Sequence, residues 1–109
     1  MTDYRIEFEA EIEMTGEHPH PPILTPRVRP NLFVAGKFFP CAVTKTHPEA
    51  GVAAQDKGSI IATALCPAED LDRFVSGASF ELRDGPLHGF AKGRFRDIRS
   101  SEEYRPELG

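Results

Sequence analysis

The chain has 109 residues, enough to bury one compact core and too few for two. Hydrophobic residues make up 39% and charged residues 28%, an ordinary globular mix, and ten prolines and nine glycines against two methionines argue for many turns and few long helices. A formal net charge of −4 argues against strong non-specific nucleic-acid binding, which draws its affinity from a basic surface, although a local basic patch stays open.

From Ile6 to Met14 the chain alternates strictly: Ile6, Phe8, Ala10, Ile12 and Met14 share one face, and Glu7, Glu9, Glu11 and Glu13 the other. Period two over this length predicts a half-buried strand. Thr15 to Pro26 holds Gly16 and four prolines and reads as a long loop. Asn31 to Ala35 reads as a strand entered through Pro30, Gly36-Lys37 as a tight turn, and Phe38 to Thr44 as the next strand. Thr46 to Gly58 reads as a second polar loop, and Ser59 to Leu65 as a strand buried on both faces.

One short helix is expected after that. Pro67 suits a first turn, and Glu69 and Asp70 favour the positive end of the helix dipole. Leu71, Phe74 and Val75 fall on one face, and Gly77 is a stop. Ala78, Phe80 and Leu82 then alternate into a strand ending at the Asp84-Gly85 turn signal, and Phe90 to Phe95 is the last strand. From Asp97 onward the chain is charged and poor in apolar residues. The expectation is an all-β fold, a small six-stranded antiparallel closed β-barrel with one short helical turn, over residues 1–96, with a flexible charged tail over 97–109. Closure suits strands with one polar face because it removes exposed edges.

The polar start Met1 to Arg5 carries no apolar leader, and no run approaches the roughly 18 apolar residues that span a bilayer. A cytoplasmic protein with no membrane contact is expected. Cys41 and Cys66 have no zinc-type spacing and lie within or at the end of apolar runs, so buried free thiols are the default, with a disulfide left open. His18 and His20 flank Pro19, but a metal site needs at least one more ligand, and none is expected. Gly36-Lys37 lacks the glycine-rich frame that cradles phosphates, which excludes a nucleotide. His47 and His88 lie in or near loops, and no catalytic motif is visible, so neither enzyme activity nor a cofactor is expected.

Several short runs share an order and spacing. His20-Pro21-Pro22-Ile23-Leu24, Arg29-Pro30 before Asn31-Leu32-Phe33-Val34, Leu65-Cys66-Pro67, Phe80-Glu81-Leu82-Arg83-Asp84-Gly85 and Phe90-Ala91-Lys92-Gly93 follow a strand Phe8-Glu9-Ala10-Glu11. Over roughly residues 5 to 95 this series resembles the third domain of elongation factor Tu, here expected as a standalone domain. The resemblance implies a β-barrel that in the family holds the T-stem of aminoacyl-tRNA and meets the nucleotide-exchange factor. His20 matches the family's tRNA-contacting histidine, and Asp84 and Gly85 match its R-E-G-G turn. Val28 replaces a family tyrosine, the Gln55-to-Gly58 loop lacks M-P-G-D, the turn from Ala68 to Ser76 is longer, and Pro19 stands where an arginine usually precedes the histidine.

Two stripes remain. Glu7, Glu9, Glu11 and Glu13 form an acidic one, and Lys92, Arg94 and Arg96 a basic one, both at period two. If their strands are neighbours, the stripes pair across the ladder and are structural. If not, the basic stripe is a phosphate-contacting patch. Arg27 and Arg29 bracket Val28 and on an extended chain point the same way, as an anion fork or as surface cover. The expected function is binding of a protein partner, translation-associated or of an immunity type, with tRNA or RNA as the alternative. The expected surface is His20, Arg27, Arg29, Asp84, Gly85, Lys92 and Arg94.

Overall fold

The computed structural model of the chain describes residues 3–15, 23–84 and 89–104. Eight strands and one 3-10 helix follow in order: β1 (Asp3–Met14), β2 (Ile23–Leu24), β3 (Asn31–Val34), β4 (Lys37–His47), β5 (Val52–Ala53), β6 (Lys57–Pro67), the 3-10 helix (Ala68–Arg73), β7 (Ser79–Arg83) and β8 (Gly89–Tyr104). Six of them close into an antiparallel barrel in the order β1-β6-β4-β3-β7-β8, and β2 pairs with β5 as a separate two-stranded ribbon. The expected all-β closed barrel is the fold.

β1 shows why. Ile6, Phe8, Ala10, Ile12 and Met14 are all buried, while the glutamates between them face out. A phenylalanine cluster fills the barrel. Phe8, Phe80 and Phe95 meet with centroids 4.7–6.0 Å apart, and Phe74 reaches Phe95 at 5.6 Å and Phe39 at 5.3 Å. Such edge and tilted pairs contribute roughly 0.5–1.5 kcal/mol each beyond their burial. Gly93 makes room for the cluster: it lies opposite Phe80, and a Cβ there would stand 2.2 Å from the Phe80 ring.

The structure corrects several expectations. The supposed tail is a strand as far as Tyr104, paired with β1 down to Asp3, whereas residues 105–109 lie outside the described part. Fourteen residues of β8, Ala91 to Tyr104, run against the twelve of β1. The two extra ones, Arg96 and Arg99, are bulged, each skipped where the register shifts. The bulge at Arg96 changes the phase of the alternation, so that Asp97 pairs with outward Glu9 while Ile98 pairs with buried Phe8 and packs on the core. Period two ends there, which is why the rest looked structureless.

The two long loops also carry structure. Buried Leu24 in β2 and buried Val52 in β5 seal one side through their pairing. β6 is buried on one face only. Ile60, Ala62, Ala64 and Cys66 point in, and Ile61, Thr63 and Leu65 are half-covered. The hairpin turn is Ala35-Gly36, not Gly36-Lys37: Val34 pairs with Lys37, and both turn residues have positive φ, 47° and 84°, as a two-residue hairpin of right-handed twist requires. The helical turn stops at Arg73. Pro67 caps it from an extended conformation, Val75 is exposed, and Gly77, at φ 89°, belongs to the turn that follows.

Two outcomes follow. Gly93→Ala is expected to cost about 1–3 kcal/mol by forcing the Phe80 ring aside, read as a lower urea midpoint at unchanged slope; an unchanged midpoint would show that the ring has room to move. Deleting residues 97–109 is expected to lower the melting temperature, because it strips β1 of half its partner, whereas loss of a loose tail would leave it unmoved.

A candidate binding trough on the outer barrel face

The register places one row of outward side chains across the whole sheet. Lys57 on β6 faces Glu13 on β1, which faces Lys92 on β8, which faces Glu81 on β7. Glu81 faces Phe33 on β3, and Phe33 faces Phe38 on β4. A second row, two residues along, runs Ser59, Glu11, Arg94 and Ser79. Between them lies the inward row Gly58, Ile12, Gly93 and Phe80. Apart from Phe38, which stands beside Phe33 just outside it, these rows line an open trough of about 1040 Å³ that crosses the strands.

The acidic and basic stripes are therefore neighbours, as a structural pairing requires. Of the basic stripe it is Arg96 that makes the ion pairs, joined by Arg99 from beyond it. Bulged Arg96 reaches Glu9 at 3.6 Å and Glu11 at 3.4 Å, and bulged Arg99 reaches Glu9 at 3.9 Å. Glu13 pairs with Lys57 at 3.9 Å. Exposed pairs of this kind contribute roughly 0–1 kcal/mol each. Lys92 and Arg94, although flanked by glutamates on the ladder, make no ion pair with any described residue.

At the β3 end of the trough the chemistry changes. Phe33 and Phe38 stand 4.8 Å apart, and the Arg83 guanidinium lies 4.0 Å over Phe33 and 5.5 Å from Phe38. Arg83 Nε donates to Glu81 Oε2 at 2.8 Å. Phe38 is 43% exposed, although phenylalanine is among the residues most often buried. The hairpin that presents it is pinned from behind. Asp70, 2% exposed, accepts from Lys37 Nζ at 3.2 Å and from Arg73 Nε at 2.7 Å, and Arg73 Nη1 donates to the Ala35 carbonyl at 2.7 Å. The Arg73 hydrogen bond, with help from Lys37 and against the effect of burial, holds the Asp70 carboxyl below its ordinary value.

The other expected site residues are dispersed. Arg27 and Arg29 are exposed but do not line the trough. Arg27 donates its backbone N–H to Val43 of β4, the strand three places from β8 either way around the barrel. At φ 80° it occupies a turn closed by Val28 N–H on Thr25, so the extended alternation behind the fork does not hold there. Asp84 is exposed beyond the end of β7, and His20 and Gly85 lie outside the described residues. Of the expected surface, the trough gathers Lys92 and Arg94. Phe33, Phe38, Arg83, Glu81 and Lys57 were missed. An Ala35-Gly36 turn, read from the sequence, would have set Phe33 against Phe38 on the outside.

Cys41 and Cys66 are buried free thiols; burial pushes the first up to about 12 and the second, with the Asp70 and Asp3 carboxylates nearby, up to about 11. Among the described residues no group of three or more His, Cys, Asp or Glu side chains is placed to hold a metal ion, and no helix is long and apolar enough to cross a membrane. No protein-family model matches the chain, and no curated protein matches it.

Asp70 makes the pinning testable. Because its folded pKa lies below the ordinary 3.8, the stabilisation is full at higher pH and drains away as the pH falls through the folded value. The stability gap between the protein and Asp70→Asn, from urea titrations, is expected to hold from neutral pH to about pH 5 and to shrink below it. A gap of constant size to the acid end would contradict the charge network.

Proposed function

We propose that the chain is a non-enzymatic binding module of the elongation factor Tu third-domain type, acting in the cytoplasm by protein–protein interaction, in a translation-associated or immunity-type role. The closed six-stranded barrel is the fold the resemblance implies. The observation that carries the protein-binding reading is the exposed Phe38 beside Phe33, which lines the trough under the Arg83 guanidinium. Aromatic and arginine side chains are the groups that interfaces concentrate at their energetic centres.

A second reading, an RNA-binding accessory, draws on the same stack, because aromatic rings and guanidinium planes also take nucleobases. It gains nothing from Arg27 and Arg29, which lie apart from Lys92 and Arg94. The discriminating experiment is a tagged pull-down of the full chain from native lysate, with and without RNase, beside the Phe38→Ser variant. A discrete protein that survives RNase and is lost with Phe38→Ser is the expected result. Recovery of tRNA, with every protein lost on RNase treatment, would replace the first reading with the second.

A further inference from the structure

We propose that the trough takes an acidic protein segment anchored by one large apolar side chain, the anchor resting on the exposed Phe38 ring at the β3 end, beside the Arg83-covered Phe33, and the carboxylates meeting Lys92 and Arg94. This rests on the protein-binding reading above and narrows it to a partner chemistry.

Charge is the first argument. Five cations line the trough, Lys57, Arg83, Lys92, Arg94 and Arg96, against the carboxylates of Glu11, Glu13 and Glu81. A surplus of two on a chain of net charge −4 makes this a locally basic place on an acidic protein. The surplus has an address. Glu13 is held by Lys57, Glu81 by Arg83 and Glu11 by Arg96. Lys92 and Arg94 pair with no carboxylate among the described residues, which leaves them to an incoming group. Two residues apart on β8, they share a face and stand about 7 Å from each other along the strand.

Spacing is the second. Phe38 is three strands from Lys92, through Phe33 and Glu81 on the same row. That is about 14 Å, the reach of roughly four extended residues. A segment laid across the strands with a bulky side chain at one end and a carboxylate about four residues on meets both features at once. The Phe38 ring supplies apolar area there, and the Arg83 guanidinium is held flat by Glu81 and by the rings beneath it.

A nucleic-acid backbone fits the same trough poorly. Its affinity grows with the number of phosphates neutralised, and here only two cations lack an ion-pair partner among the described residues while three glutamates stand among them on the same rows. A carboxylate placed beside Lys92 or Arg94 avoids that repulsion, because a peptide need not carry a charge at every step.

The test is selection of random short peptides displayed against the full chain, followed by anisotropy titration of the most enriched peptide against the protein, Phe38→Ser and the double variant Lys92→Gln/Arg94→Gln. Both changes sit at exposed side chains, and melting curves of the variants are the check that the barrel persists. The expected result is enrichment of sequences pairing an aromatic or large aliphatic residue with nearby Asp or Glu. Each variant is expected to weaken binding about tenfold or more, and added salt to weaken binding to the protein but less to the double variant. Enriched peptides that are neutral or basic, or that bind both variants as well as the protein, would overturn the partner chemistry while leaving protein binding intact. Absence of any enriched peptide, with a labelled oligouridine binding in a Lys92- and Arg94-dependent way, would overturn both. Self-association abolished by Phe38→Ser, seen by sedimentation, would give the trough to a second copy of the chain and overturn the acidic segment.

Discussion

A six-stranded sheet becomes a barrel only when its outermost strands meet, and here the longest strand, β8, closes the ring by lying between β7 and β1. The fit is not one-to-one. β8 is longer than its partner, and the excess is absorbed at Arg96 and Arg99. Bulges of this kind bend a strand and sharpen its twist, which is what a narrow barrel needs where a flat strand would diverge. They also re-aim the two arginines, and both reach Glu9. Closure, curvature and the contacts of Arg96 and Arg99 with Glu9 thus share one cause.

The same seam determines what the outer face presents. Register in β1 is fixed by the five buried residues that alternate with its glutamates, since a slip of one position would turn the acids into the core. The outward row is a consequence of that inward order. Its alternating charges contribute little individually to stability. What the row does supply is a surface of defined chemistry whose residues sit at strand spacing. Carboxylates and cations cancel along most of it, and the imbalance is concentrated at Lys92 and Arg94.

How much of this was legible depends on whether the period-two pattern was intact. β1 alternates without interruption, and its faces are legible from that alone; the pairing of β1 with β8 is one of the two arrangements that their complementary stripes left open. The pattern broke at Arg96, and everything beyond it was taken for a tail, although Ile98 packs on the core. Short pairings fared worst. Ile23–Leu24 and Val52–Ala53 are two-residue strands joined only by tertiary pairing, and nothing local announces them. Register across a turn is a matter of one residue. Placing the turn at Gly36-Lys37 hid the Phe33–Phe38 pair, and with it the apolar half of the trough. His20 and Gly85, known only through the resemblance, lie outside the described residues.

A surface built this way has a particular energetic character. Ordering loops and side chains on binding commonly costs about 0.5–1.5 kcal/mol for each mobile side chain fixed. Here the floor of the trough is ladder backbone. The hairpin carrying Phe38 is tied at its turn by Arg73 on the Ala35 carbonyl and at its flank by Lys37 on buried Asp70. Arg83 is restrained by Glu81 and by the rings it covers. Lys92 and Arg94, without an ion-pair partner among the described residues, supply long-range attraction rather than shape. A partner would therefore meet a preformed apolar seat and two adaptable cations. Such an arrangement assigns fit to the aromatic end and charge selection to the β8 end, and lets each be altered without disturbing the barrel that holds them.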